Sequence, residues 1–422
     1  MLDIKFIREN RELVKQNIAN RQMKVDIGQL LDLDKKRRNL IFETEKLRAE
    51  QNKTNEEISR TDSAGRKEKI KEMKKVKDRL VELEPQLSET EEKFNSLMSQ
   101  VPNMIQPEVP IGQSEKDNVV IKEIGKRPKF TFAAKDYLEI ARINDLIDIE
   151  RAAKISGSRF GFLKNEAALI EFGLFKMAAD LLIKEGFSFL IPPVMIKSEA
   201  MKAMGYIDSE EDKKEMYYFP GDDLYLVGTS EQSIGPMHMG EIFEEKHLPR
   251  RYFAFSSCFR REAGSYGKDT KGILRVHQFD KMEMFSFCHP RESVNEHRYF
   301  VSLEERLMRK LELPFRLMRL CSADFARPSS STIDTETWFP GENRYRETHS
   351  TSNCTDFQSR RLNIRYRDSK TKKIEFVHMI NGTVFSQRPI LAILENHQQK
   401  DGSVSVPKAL QKYAGFKKIE KK

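Results

Sequence analysis

The chain has 422 residues, 38% of them apolar and 33% charged, with a formal net charge of +9. That length accommodates two or three domains. The positive balance points to an anionic partner, nucleic acid first, although a well-solvated basic surface fits it equally. The four cysteines, Cys258, Cys288, Cys321 and Cys354, stand far apart, which argues against a disulfide framework and a short-spaced zinc site. The opening MLDIKFIREN carries charge from its third residue, unlike a signal peptide, and no apolar run is long enough to span a bilayer. The expectation is a cytoplasmic protein without membrane contact.

Up to about residue 100, glycine and proline are scarce and charge dominates. Steps of three and four connect Leu30, Leu33, Arg37, Leu40, Thr44, Leu47, Gln51, Thr54 and Ile58. They resume at Met73, Val76, Leu80, Leu83, Leu87, Thr90, Phe94, Leu97 and Val101. This is the seam of a coiled coil, and Thr61–Gly65 between the halves supplies turn residues. Two antiparallel helices result, the first roughly 45 Å long. Polar Arg37, Gln51 and Thr54 should weaken the pairing toward the tip. Pro85, off the seam, should kink the second helix without breaking it. Off the seam lie Lys35, Lys36, Arg38, Lys46, Arg48, Lys53, Arg66, Lys67, Lys69, Lys74, Lys75 and Arg79. They suit an RNA backbone, and with their interleaved acids they also suit an ordinary solvated face.

Pro102, Pro107 and Pro110 mark residues 101–125 as an extended linker. Beyond it a helix over Glu166–Glu185 alternates with β-rich runs: FSFLIPPVMI, DLYLVGTS, RYFAFSSCF, KMEMFSF, FRLMRLC and LNIRYR. Strand runs joined by short turns predict an α+β domain, an antiparallel sheet flanked by helices.

No glycine-rich phosphate loop is present, so a phosphate-handling site would rely on arginine. The segment CFRREAG, then Arg275 to Glu283, reads as strand–loop–strand. Alternation places Arg275, His277, Phe279, Lys281 and Glu283 on one face, able to grip a triphosphate, a purine and a polar group. A solvated strand face has the same pattern. Glu347 and Ser350 in YRETHSTSN offer hard oxygen donors for Mg²⁺, and also suit a strand-to-turn transition. Asn381, Thr383 and Arg388 precede the helix PILAILENHQQ, where they could face phosphate or simply cap it.

Taken in order, MLDIKFIREN, the paired-helix arm, VPNMIQPEVPIG, KISGSRFGFL, GTSE, CFRREAGSYGKDTKGILRVHQFDKME, NRYRETHSTSNCTDFQSRRLNIRY, HMINGT and AILENHQQKDGSVSVPKAL resemble a bacterial-type seryl-tRNA synthetase nearly end to end. The resemblance implies a class II catalytic domain at 104–422 and a tRNA-binding domain with a long coiled-coil arm at 1–103. It implies an ATP- and Mg²⁺-dependent homodimer that charges tRNA(Ser) with serine, and it leaves tRNA(Sec) open as a second substrate. By the same likeness Arg260 grips the α-phosphate, Glu262 and Val276 lie by the adenine, Phe279 stacks on it, and Arg275 and Arg388 hold the far phosphates. Glu347 and Ser350 would ligate the metal, with Arg260, Glu347 and Arg388 as the catalytic set. Thr229, Glu231, Arg260, Glu283, Asn381 and Thr383 would receive serine, Glu283 taking its hydroxyl. One departure stands out: the stretch from Thr383 to Arg388 is a residue shorter than usual. A synthetase paralogue and a non-catalytic RNA-binding coiled coil are the competing readings.

Overall fold

The computed structural model describes residues 1–60, 63–264 and 271–422. The chain forms two compact units: Leu2–Ala19 with Met23–Pro102, and Met1 and Asn20–Gln22 with Asn103–Lys422.

The first unit is dominated by two long helices, α1 (Ile27–Arg60) and α2 (Ser63–Gln100). Thirty-four residues make α1 about 50 Å long. The seam positions are where the side chains bury: Leu30, Leu40 and Thr44 against Val76, Leu80, Leu83, Thr90 and Phe94. Arg37 is accommodated because its guanidinium lies 4.4 Å from the Phe94 ring centroid and 3.7 Å from Asp34. From Leu47 through Gln51, Thr54 and Ile58 the seam is only half-buried, so packing thins toward the tip. Pro85 is exposed and α2 runs through it unbroken. Of the expected turn, Thr61 and Asp62 lie outside the described residues, whereas Ser63, Ala64 and Gly65 already belong to α2.

In the second unit the expected linker ends on a strand, β1 (Val119–Ile124). Then follow α3 (Asn165–Lys184), β2 (Ser188–Leu190), β3 (Arg250–Phe259), β4 (Gln278–Cys288), α4 (Ser293–Lys310) and β5 (Phe315–Arg319). The last large elements are β6 (Ser331–Phe339), β7 (Arg344–Asn353), β8 (His378–Ser386) and α5 (Arg388–Asn396). The eight strands form one sheet in the order β1–β5–β6–β7–β8–β4–β3–β2. Every neighbouring pair is antiparallel except β2 with β3. The apolar strand runs were legible in the sequence, but β6, β7 and β8, at the middle of the sheet, were not.

Helices α3, α4 and α5 cover one face. Ile170, Leu174, Phe300, Leu303, Leu307 and Ile390–Leu394 pack there with Met284, Phe315 and Phe385 into one core. The other face of β4, β7 and β8 is lined with polar side chains. Strand β7 pairs with β6 from end to end. With β8 it shares only three pairs, Thr351–Gly382, Ser352–Asn381 and Asn353–Ile380. Beyond them, toward Glu347, the ladder is not continued, which makes this end a fork in the pairing, although the His349 and Phe385 rings still stand 5.7 Å apart. All four cysteines are reduced and buried, and burial pushes the Cys258 thiol up to about 11 and raises those of Cys288 and Cys354 as well. Among the described residues no helix is long and apolar enough to cross a membrane.

Candidate active site

A cavity of about 620 Å³ opens over the polar face of the sheet. Strand alternation along β4 aims Phe279, Lys281 and Glu283 into it. The strand starts only at Gln278, so Arg275 reaches the cavity from the irregular segment before it. His277 does not share that face as expected. Its Nδ1 donates to the Arg260 carbonyl at 2.9 Å, its own carbonyl accepts from the Arg260 N–H at 2.9 Å, and its ring meets Phe160 and Tyr217. It holds the backbone of Arg260 instead.

At one end of the cavity two carboxylates are buried. Glu231, first residue of the helix Glu231–Ile234, accepts from the Tyr206 hydroxyl at 2.7 Å and from Gln358 Nε2 at 2.8 Å. Burial, then the neighbouring Glu283, pushes its carboxyl up to about 7. Glu283, 2% exposed, accepts from the Thr229 hydroxyl and lies 3.1 Å from Lys281 Nζ, which itself donates to Thr229 Oγ1 at 3.2 Å. Thr383 sits opposite Glu283 in the β4–β8 ladder, at a bulge, and Asn381 lines the same wall. Carboxylates, an ammonium, hydroxyls and an amide thus surround a space suited to a small hydroxylated zwitterion.

The other end is cationic. Arg260 follows β3; its Nε donates to the Gly228 carbonyl at 3.1 Å and its guanidinium stands 5.5 Å from the Phe279 ring centroid. Arg275 pairs with Glu262 at 2.5 Å, beside Val276. The Glu215 carboxylate accepts from the Ala263 and Gly264 N–H groups, pinning the backbone just past Glu262. Arg388 opens α5 and reaches Glu347 at both its carboxylate, 3.1 Å, and its carbonyl, 3.0 Å. The shorter Thr383–Arg388 stretch therefore still delivers Arg388 to the cavity. Partial desolvation drives the half-exposed Glu347 carboxyl up, but Arg388, Arg260 and Lys281 together carry it below its ordinary value.

Glu347 and Ser350 were singled out as metal ligands, and the donor set fits a hard divalent cation. Behind them Asp334 hydrogen-bonds Ser350, while its Oδ1 is buried with no partner among the described residues. Burial and then Glu347 raise the Asp334 carboxyl well above its usual range, a crowding of anions that a cation would relieve.

All thirteen residues expected at the site line this one cavity. Tyr206, Glu215, Asp334 and Gln358 were not foreseen, since isolated residues in mixed segments carry no periodic signal. Lys281 was placed by alternation but given no separate role.

Sheet, helices and arginine-lined cavity together define a class II aminoacyl-tRNA synthetase core. The family model described as tRNA synthetase class II core domain (G, H, P, S and T) matches residues 218–397, and that described as Seryl-tRNA synthetase N-terminal domain matches 1–105. A serine–tRNA ligase of Dictyoglomus turgidum is 43% identical over 426 residues, covering 100% of both chains. A crystal structure of seryl-tRNA synthetase from Pyrococcus horikoshii complexed with ATP is 38% identical, covers 100% of both chains and superposes with a TM-score of 0.90. The cytoplasmic serine–tRNA ligase of Naegleria fowleri in complex with AMP is 29% identical, covers 100% of this chain and 99% of its own, and has a TM-score of 0.85. The chain belongs to the seryl-tRNA synthetase family.

Proposed function

We propose that the protein is a cytoplasmic, homodimeric serine–tRNA ligase that activates serine with ATP and transfers it to the 3′-terminal adenosine of tRNA(Ser). The observation that carries this reading is the shared cavity with Glu231, Glu283 and Thr383 at one end and Arg260, Arg275 and Arg388 at the other. Glu231 faces the substrate ammonium and Glu283 its hydroxyl, while Phe279 stacks on the purine. A serine carboxylate oxygen forms a bond to the α-phosphorus, and the bond to the pyrophosphate leaving group breaks. Arg260 stabilises charge developing on the α-phosphate, and Arg388 and Arg275 hold the departing phosphates. Glu347 and Ser350 would hold a Mg²⁺ ion, which would supply further neutralisation of phosphate charge. The ribose hydroxyl of the tRNA then attacks the adenylate carbonyl and AMP leaves; no protein nucleophile is needed.

Residues 1–103 act as the tRNA-binding domain. Lys35, Lys36, Lys46, Lys53, Lys74 and Lys75 are exposed and form no salt bridge among the described residues, which leaves them for RNA phosphates. Dimerisation uses α3 and the segment through Phe189 and Ile191, where Phe172 is 70% and Ile191 77% exposed. Pyrophosphate exchange into ATP, run with each of the twenty amino acids, tests the activity. Serine alone should support exchange, and exchange that ignores serine refutes the reading.

A further inference from the structure

Helix α4 lies beneath the floor of the cavity and carries a carboxylate that no substrate would touch. Glu304 is 0% exposed. Its oxygens accept from the Thr351 hydroxyl on β7 and, at 3.2 Å, from the Thr335 hydroxyl on β6. Two turns earlier on the same helix, His297 Nε2 donates to the Thr351 carbonyl at 3.0 Å. Thr351 is therefore held by α4 at both its side chain and its backbone. It also stands opposite Gly382, at the last pair of the β7–β8 ladder. A Cβ on Gly382 would come within 2.6 Å of Thr351 Oγ1, so the third strand closes against the same point.

On either side of this fork stand the working groups. Ser350 is the residue before Thr351, with Glu347 further along β7; Asn381 and Thr383 flank Gly382 on β8. A buried carboxyl with no cation against it is a costly way to fill space, and an apolar side chain would do so more cheaply. We propose that Glu304 is a positioning residue that, with His297, clasps Thr351 at the fork and so sets the distance between the wall bearing Glu347 and Ser350 and the wall bearing Asn381 and Thr383. The proposal rests on the reading of this cavity as the site of adenylate formation.

Burial pushes the Glu304 carboxyl up to about 8, so it is neutral at physiological pH, and one of its oxygens then carries a proton that a neighbouring threonine hydroxyl accepts. The charged groups acting on it from the strands are Lys281 and Glu283 on β4 and Asp334 on β6. On its own helix, burial lowers His297 to about 4 and keeps that ring neutral. Glutamine, always neutral and of the same shape, should replace Glu304 well.

The test compares serine-dependent pyrophosphate exchange in the wild type, Glu304→Gln, Glu304→Leu and Thr351→Val. Misplacement of reacting groups by about 1 Å costs on the order of 100-fold. Glu304→Leu should lose about that much in kcat/KM for serine while remaining folded by circular dichroism. Thr351→Val, which removes one hydroxyl at constant shape, should fall in the same direction and decides the matter if the leucine variant does not fold. Glu304→Gln should match the wild type at pH 7 and lack its decline above pH 8. Wild-type kcat/KM in Thr351→Val and a folded leucine variant overturns the proposal, as does a glutamine variant as poor as leucine. If the wild type itself shows no serine-dependent exchange, the functional reading falls instead. ATP affinity of the same variants, measured by calorimetry, then decides the clasp: weaker binding in the leucine variant supports it and unchanged binding refutes it.

Discussion

Replacing Glu283 by alanine removes the acceptor expected to meet the serine hydroxyl, and the loss can be sized from its surroundings. A hydrogen bond to a charged group contributes about 1.5–3 kcal/mol. Glu283 is also the partner of a Lys281 ammonium 3.1 Å away, in a site where both are nearly fully buried. Truncating one member of such a pair leaves the other unpaired, but the free enzyme and the complex carry that cost alike, so it lowers stability and not kcat/KM. At about 1.4 kcal/mol per tenfold change, the upper end of that range lowers kcat/KM for serine on the order of 100-fold. The effect on ATP should be small, because Arg260, Arg275 and Arg388 are untouched. A second signature comes from Glu231, whose carboxyl is raised to about 7 by burial first and Glu283 next. Only its ionised form attracts the substrate ammonium, so wild-type kcat/KM should climb as pH rises through about 7. Without Glu283 that limb should move to lower pH. Serine-dependent pyrophosphate exchange at several pH values measures both, with tRNA affinity by filter binding as control. A variant within tenfold of the wild type, or with its acid limb unmoved, would show that Glu283 does not receive the hydroxyl.

Deleting Leu30–Leu97 should spare adenylate formation and abolish transfer to tRNA, read by aminoacylation beside exchange; efficient aminoacylation would remove the arm from the account. Leu83, 1% exposed in the helix pair, should cost about 3 kcal/mol as alanine. Circular dichroism should show the arm melting earlier, with exchange activity intact. Arg388→Ala should reduce kcat/KM for ATP by about 10²-fold and, by removing the largest influence lowering the Glu347 carboxyl, raise that group's apparent pKa in metal titrations. The Glu304 carboxyl moves from 4.5 to about 8 on folding. The fold therefore binds a proton that the unfolded chain has released between those values, and stability falls as pH rises through that window. Glu304→Gln lacks this penalty, so its melting temperature should gain on the wild type as pH rises from 4.5 to about 8.

The parts of the molecule that could be read in advance are those where one face is apolar and the other is not. Leu30 to Ile58 and Met73 to Val101 announced the helix pair because each stripe buries only against the other. Strands β3, β4 and β5 were visible for the same reason. Strand β7, Arg344–Asn353, has no such contrast: Thr351 and His349 point toward α4 while Glu347, Ser350 and Ser352 point into the cavity, so both faces are polar. Strands β6 and β8 hide in part behind Thr335, Asn381 and Thr383 in the same way. The sheet is thus least recognisable where it is most functional. His277 shows the opposite failure, since alternation was extended back to Arg275, past the start of the strand at Gln278.

The buried, reluctantly ionised thiols have a practical side. With all four cysteines enclosed and three of them raised in pKa by burial, the native chain offers maleimide dyes almost no reactive sulfur. A lone cysteine introduced on the exposed flank of α2 away from the lysines assigned to RNA, such as Ser88→Cys, would then carry a fluorophore against a silent background, without first stripping the chain of its own cysteines. Any motion of the long helical hairpin on addition of tRNA could be followed directly in an otherwise unaltered enzyme.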